Sequence, residues 1–308
     1  MGAYIARRLL LVIPTILAVY TITFVLMHAT PGGPWDNADR PLSPQAIANL
    51  NAKYHLNDPL WKQYVDYLGN VVHGDLGPSY VNTSRSVTDI IRDFFPVSLK
   101  LGIVAMILGT VIGLTLGVIA ALNQNSWVDY TAMFGAVVGI ATPSYVMATV
   151  LIYLLALELH LVPTTGWGGV FNIRIIIPAL ALSLGPAAQL ARYTRTSVLE
   201  TLRQHYILTA QAKGLRYRAV VVRHVMKNAM NPVVTIAGLL LANVITGSFF
   251  VETICGVPGI GRYFVTAATG RDYPVLMALT LLFAILIIFA NLLVDIAYGF
   301  LDPRVSYS

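Results

Sequence analysis

Few residues in this sequence have the types and spacings that covalent chemistry needs. Its most glycine-rich turn, Gly256-Val257-Pro258-Gly259-Ile260-Gly261, lacks the lysine and hydroxyl of a GxxxxGK[ST] phosphate loop, and that pattern occurs nowhere in the chain. HExxH, GxSxG and paired His/Cys ligand sets are also missing. Cys255 is the single cysteine, which excludes an internal disulfide and a multi-cysteine metal site. What the sequence concentrates instead is charge. Between Arg192 and Lys227 lie eight basic residues (Arg192, Arg195, Arg203, Lys213, Arg216, Arg218, Arg223, Lys227) and one acid, Glu200. The chemistry open to such a segment is electrostatic. It resists translocation, so it belongs on the cytoplasmic side, and it attracts an acidic partner or anionic lipid. Within it, Tyr206 to Lys213 are good helix formers, and Gly214 can end that helix in a left-handed conformation. Arg216 and Arg218 follow at once. The expectation is a short helix, a sharp turn and a second basic helix. From charge alone, a docking element and a loop that only fixes orientation both remain open.

The elements that position this segment are apolar. Of 308 residues, 56% are hydrophobic and 11% charged, against roughly 25% charged in soluble domains. This is the composition of an integral membrane protein. The net charge of +6 does not point to nucleic acid, because the cations cluster beside the membrane with few aromatics among them. Six spans are predicted: Leu9 to Met27, then about 101–122, 131–157, 175–196, 230–251 and 274–297. The first exceeds a signal-peptide core and has a poor cleavage site after it. Six spans place both termini inside. The Lys/Arg tally, 11 inside and 9 outside, agrees, although the short inner loop Asn123 to Tyr130 holds Asp129 and no cation. The organisation read from this is a first span (1–30), an outer insertion (31–95), a core (96–300) with the basic segment at 200–227, and a tail (301–308).

The insertion is acidic and aromatic, and its predicted helices Pro44 to Tyr54 and Pro59 to Leu68 have Ser43 and Asp58 as N-caps. It reads as a packed cap or as a docking surface for a soluble delivery protein. In the second span Ala105, Gly109, Gly113, Gly117 and Ala121 recur every four residues, a small-residue stripe that admits a close helix. Thr142-Pro143-Ser144 interrupts the third span, as a structural kink or one that lines a pathway. Ser144, Gln189, Asn243 and Thr246 are polar side chains on apolar helices, suited to a pathway lining or to interhelical hydrogen bonds. Glu252, Pro258 and Gly259 lie in a turn that re-enters the membrane or lids an outer mouth. Asp295, one turn after Asn291, lies near the inner boundary.

Several stretches together resemble the B-type permease of dipeptide and oligopeptide ABC importers. They are Arg7-Arg8-Leu9, Ala29-Thr-Pro-Gly-Gly-Pro34, Lys53-Tyr-His-Leu-Asn-Asp-Pro59, His73-Gly-Asp-Leu-Gly-Pro78, Thr209-Ala210-Gln-Ala212-Lys213-Gly214-Leu215, Arg223-His224, Val251-Glu252-Thr253, Pro258-Gly259-Ile-Gly261, Arg271-Asp272-Tyr273-Pro274 and Leu301-Asp302-Pro303-Arg304. Against the broader Glu-Ala-Ala-xxx-Gly docking pattern, only Ala210 and Gly214 carry over.

The resemblance implies an all-α membrane protein of the type I importer fold, with the last five spans as its core and a helical extracytoplasmic insertion between spans 1 and 2. It implies a non-catalytic subunit without a cofactor of its own. Its partners would be a homologous C-type permease, two ATPase subunits carrying ATP and Mg, an extracytoplasmic binding protein and membrane lipid, in a bacterial or archaeal cell membrane. Tyr206, Thr209, Ala210, Ala212, Lys213, Gly214, Leu215, Arg216 and Arg218 would couple to the ATPase. In relatives the insertion can reach the binding protein, which here gives Trp35, Tyr54, Trp61, Tyr64 and Asp66 as docking candidates. Relatives carry peptides, haem or nickel complexes. An ion-driven secondary transporter would instead need midplane charges and an inverted repeat. The spans are nearly free of charge and no repeat is visible. An assembly subunit without a pathway is a further alternative.

Overall fold

The computed structural model describes residues 2–36, 43–246 and 249–301. Asp39, Ser248, Asp302, Pro303 and Arg304 lie outside them, as do the side chains of Arg7, Arg8 and Asp295. The described chain is helical and contains no strand. In order it runs α1 (Gly2–Ala29), α2 (Pro44–Lys53), α3 (Leu60–Val72), α4 (Val87–Leu122), α5 (Trp127–Ala141), α6 (Ser144–Leu151), α7 (Ile176–Leu202), α8 (His205–Ala212), α9 (Tyr217–Val220), α10 (Met226–Thr246), α11 (Phe249–Ile254), α12 (Ile260–Gly270) and α13 (Tyr273–Leu301). Four helical stretches are long and apolar enough to cross a membrane: Leu10–Ala29, Val87–Leu122, Ile173–Leu202 and Tyr273–Leu292. Two bent pairs, Trp127–Ala141 with Ser144–Glu158 and Tyr217–Met230 with Pro232–Thr246, bring the total to six if each pair is one span.

The interruption of the third span is more than a kink. Thr142 is extended (φ −90°, ψ 120°), so α5 ends and a new helix starts after Pro143, with a bend of 109° between the halves. Proline disfavours helix in the residue before it and tolerates helix after it. The second span also starts earlier than its apolar run. The Ser86 hydroxyl accepts from the Asp89 amide at 3.1 Å, and α4 begins at Val87. Ser43 caps α2 as expected, accepting from Ala46 N. Asp58 does not cap α3. Its carboxylate lies 2.7 Å from Lys62 Nζ, and Pro59 takes the N-cap position.

The chain forms two packing units. One comprises Ser98–Val257 and, among the described residues, 289–301. Its centre is α7, packed by α5, α6 and α10. The small-residue stripe of α4 finds its partner here. Cβ atoms built on Gly109, Gly113 and Gly117 would lie 2.9, 2.6 and 2.6 Å from the carbonyl oxygens of Ser183, Ala187 and Ala191. Those three residues are themselves spaced by four along α7, so two ladders of equal period lie face to face. Without a hydrophobic drive between helices in lipid, such backbone approach is what holds a pair together.

The other unit comprises Gly2–Val97 and Pro258–Ile288. Tyr20, Phe24 and Met27 of α1 pack with Tyr64, Tyr67, Leu68 and Val71 of α3 and with Met277 and Leu281 of α13. Asp272 binds the end of the insertion to the start of α13. It is buried, accepts from the Ser79 hydroxyl and from the amides of Tyr80 (3.1 Å) and Val81 (3.2 Å), and caps α13 through Val275 N (3.4 Å). Beside it Arg271, in the left-handed region at φ 55°, reaches Gly33 O and Asp36 Oδ2, each at 3.2 Å. Asp272→Asn would turn an NH2 group toward these donors. The expected cost is about 1–3 kcal/mol, read as faster proteolysis within 79–86 and an unchanged rate at 205–218.

Candidate functional site

The basic segment is built from the inside outward. α7 continues past Tyr193 to Leu202, so the membrane helix itself delivers the chain to the segment. A turn at Arg203-Gln204 leads into α8. Ile207 (0% exposed) and Ala210 (8%), one turn apart on one face, sink into a small core with Ala121, Val198, Val220, Val225 and Ala229. Ser197 Oγ donates to Ala229 O at 2.8 Å, fastening α7 to α10 beneath it. Gly214 then closes α8 at φ 78°. Its amide donates to Gln211 O (2.9 Å) and that of Leu215 to Ala210 O (3.4 Å), the pairing of a Schellman turn. A Cβ at Gly214 would meet nothing within 4 Å, so the glycine serves the backbone and leaves open space outside. Arg216 precedes α9, and Val221–Val225 is wound as a π-helix before α10 begins.

The outward side of this elbow holds Tyr206, Leu208, Thr209, Ala212, Lys213, Leu215, Arg216, Tyr217 and Arg218, all exposed. Ala210 differs from the other predicted coupling residues in facing the core. The Tyr206 hydroxyl accepts from Asn228 Nδ2 at 2.9 Å. Among the described residues, Lys213, Arg216 and Arg218 have no ion-pair partner within the chain. Arg195 is different. Its Nε and Nη2 grip Asp129 Oδ1 and Oδ2 at 2.5 and 2.6 Å, and Asp129, 2% exposed, also accepts from Asn125 N at 3.0 Å. This pair ties the α4–α5 turn to α7 at the root of the elbow. Only a weak signal for it existed in the sequence: a single acid in a connection without cations.

Thr142, Ser144, Gln189 and Asn243 come together around a cavity of about 210 Å³. It opens where α5 breaks and where Gly185-Pro186 interrupts the hydrogen bonding of α7, since proline has no N–H to give. Thr142 belongs to the kink that the sequence offered as a structural break or a pathway lining, but it was not among the four named lining residues. Thr246 lies elsewhere, buried on α10. Among the described residues, no ionisable side chain lines this cavity. It offers hydrogen bonds to a polar solute and no proton relay.

Glu252 is fully buried in α11, and its carbonyl accepts from Val257 N at 2.8 Å. Gly259 is the buried N-cap of α12, and Pro258 is partly exposed. Burial pushes the Cys255 thiol up to about 11, so it is not a thiolate at neutral pH.

In the insertion, Trp35 points inward. Its Nε1 donates to Asn51 Oδ1 at 2.8 Å, and its ring lies 5.8 and 5.5 Å from those of Tyr54 and Tyr80. Tyr64 is tied to α1 through the Thr21 hydroxyl at 2.8 Å. Trp61 and Asp66 are exposed, Tyr54 half-buried. A second cavity of about 390 Å³ lies among Phe24, Tyr54, Tyr67, Tyr80, Tyr273 and Met277, and nothing in the sequence announced it. Burial and the nearby Asp272 carboxylate raise the Tyr80 phenol, which stays neutral.

Comparison with known proteins adds the following. Residues 113–307 match the family described as "Binding-protein-dependent transport system inner membrane component", and residues 1–102 match its N-terminal companion, "Binding-prot-dependent transport system membrane comp, N-term". The chain is 45% identical to the dipeptide transport system permease protein DppB of Bacillus subtilis over 99% of its own length and 98% of that protein's. It is 44% identical to the oligopeptide transport system permease protein OppB of Escherichia coli K12, over 99% of both. Among solved structures, the inward-facing MetNI methionine ABC transporter matches with a TM-score of 0.60 at 18% identity, covering 70% of this chain and 97% of that one. A structure described as an amino acid ABC transporter with histidines matches with a TM-score of 0.55 at 15% identity, covering 69% and 94%.

Proposed function

The chain belongs to the binding-protein-dependent transport system inner membrane components, and on that premise we propose that it is one of two permease subunits of an ATP-driven peptide importer. A homologous C-type permease supplies the other half of the pathway. Two ATPase subunits, which hold ATP and Mg, drive it from the cytoplasm, and an extracytoplasmic binding protein delivers the cargo. The chain carries out no hydrolysis itself. It lies in a bacterial or archaeal cell membrane with both termini cytoplasmic. Peptide cargo is supported by the two permeases named above, one of a dipeptide and one of an oligopeptide transport system. The cavity at Thr142, Ser144, Gln189 and Asn243 suits a weakly held polar backbone, and the lack of an ionisable side chain among its described lining residues argues against an ion-gradient mechanism.

One observation carries the coupling role. The elbow 205–218 is anchored inward by Ile207 and Ala210 while Lys213, Arg216 and Arg218 stand outward with no ion-pair partner among the described residues. A rigid element with a free cationic face transmits force from whatever binds it. Closure of the ATPase pair would move α8 as a lever, spans three to five would open the pathway outward, and hydrolysis would reset it. This requires contacts that differ between the two states, since a partner bound equally in both shifts nothing. Thr209, Ala212 and Gly214 would form the seat, and the cations would meet acids on the ATPase.

The test is Gly214→Glu beside Gly214→Asn in the complete transporter in proteoliposomes. Asparagine tolerates the left-handed conformation that other residues adopt at a cost of about 1–2 kcal/mol, so Gly214→Asn is expected to retain uptake. Gly214→Glu adds a carboxylate among the cations and is expected to lower ATP-dependent uptake about tenfold or more, the effect of losing roughly 1.4 kcal/mol of coupling, while the subunit still inserts. Normal uptake by Gly214→Glu would remove the docking role.

A further inference from the structure

Helix α3 is apolar over a wider arc than its own unit covers. At about 100° per residue, Tyr64, Tyr67, Leu68 and Val71 share one sector, and these residues pack on the core that includes Tyr20, Phe24 and Met27 of α1. Trp61, Val65 and Val72 form the adjoining edge of that sector and are 69%, 55% and 75% exposed. Lys62, Asp66 and Asn70 occupy the opposite, solvated side. The uncovered edge continues into α1. A groove of about 500 Å³ has Leu60, Trp61 and Val65 on one wall and Val25 and Ala29 on the other. Val25 in turn adjoins the exposed apolar flank of α1 that includes Ile22 and Leu26. These are the last turns of the span Leu10–Ala29, so the groove lies where hydrocarbon gives way to headgroups.

We propose that α3 is an interfacial helix, with Trp61, Val65 and Val72 immersed at the headgroup–acyl boundary of the leaflet at the C-terminal end of α1, and a lipid chain lying in the groove. Tryptophan concentrates in that zone because its ring is apolar and its N–H is not. An amphipathic helix with its apolar edge in the boundary and its charges outward lies in the membrane plane. Continuity with the lipid-facing flank of α1 favours lipid over a soluble protein as the occupant. A soluble partner would find Lys62 and Asp66 on the water side instead of Trp61. The proposal needs only that α1 crosses the membrane, so it stands or fails separately from the coupling role of Gly214.

Nitroxide labels on Trp61→Cys, Val65→Cys, Asp66→Cys and Asn70→Cys, in the complete transporter in nanodiscs, test this by collision with oxygen from the lipid and with a nickel chelate from water. The ratio of oxygen to nickel accessibility is expected to be about threefold or more higher at 61 and 65 than at 66 and 70, as for a helix half-sunk in the interface. Equal nickel access at all four positions would overturn the proposal in favour of a solvated helix. Exclusion of both reagents at 61 and 65 would overturn it in favour of a protein cover, either the second permease or the binding protein. If Trp61→Cys assembles poorly, Val72→Cys on the same edge reads the same ratio.

Discussion

Arg195→Leu is expected to cost the subunit about 1.5–3 kcal/mol, the penalty for leaving the buried Asp129 carboxylate without its charge-assisted hydrogen bonds while Arg195 itself is a quarter exposed. Asp129 is 2% exposed and receives two of its charge-assisted hydrogen bonds from this guanidinium. Without it, the carboxylate keeps the Asn125 amide but loses its counter-charge. The measurement is thermal unfolding of the purified transporter in detergent, with Asp129→Asn/Arg195→Leu as the companion. Removing both charges is expected to recover most of the loss, because buried pairs are often replaced at little cost. Failure of the double variant to recover would mean that Arg195 acts through something other than Asp129. The uptake defect of Arg195→Leu is expected to follow its stability defect, since the pair fixes the root of the elbow and touches no cargo.

Gly113→Leu is expected to prevent stable accumulation of the subunit. A Cβ alone at this position would stand 2.6 Å from Ala187 O and 2.7 Å from Leu190 Cβ, both rigid parts of α7. One surplus methylene in a packed core costs about 1–3 kcal/mol, and leucine adds four carbons where none fits. The two helices must part along the whole ladder, which also opens the contacts at Gly109 and Gly117. Gly135→Leu is the control, because a Cβ there meets nothing within 4 Å. Membrane yield and protease resistance should fall for Gly113→Leu and stay near normal for Gly135→Leu. Equal behaviour of the two would show that the stripe does not carry the packing.

Much of the fold was legible because membrane helices announce themselves by length and polarity. The stripe at Gly109, Gly113 and Gly117 could be read as a tight contact, although its partner could not: Ser183, Ala187 and Ala191 are unremarkable residues until α7 is laid against α4. The left-handed Gly214 was legible for a local reason, since the helix signal and the glycine are adjacent. The orientation of Ala210 was not. Three small residues in one motif look alike in sequence, and only the core beneath α8 separates Ala210, turned inward, from Ala212 and Gly214. Trp35 and Tyr64 looked like surface aromatics of an acidic insertion. Trp35 became interior and Tyr64 half-buried because α2 and α1 offer them partners that no local pattern predicts.

By itself the sequence determined what is set by period, composition and nearest neighbours: six apolar stretches, a one-sided basic segment between the fourth and fifth, the capped helix α2 and the glycine that closes α8. The tertiary structure alone decided which groups meet across long separations. It decided that Asp129 is neutralised by Arg195 sixty-six positions away, that Asp272 gathers the donors of residues 79–81, and that four polar side chains from the α5–α6 break, α7 and α10 share one cavity. Charge and hydrogen-bond satisfaction are properties of distance in space, and a chain folded through several membrane helices makes that distance nearly independent of distance along the sequence.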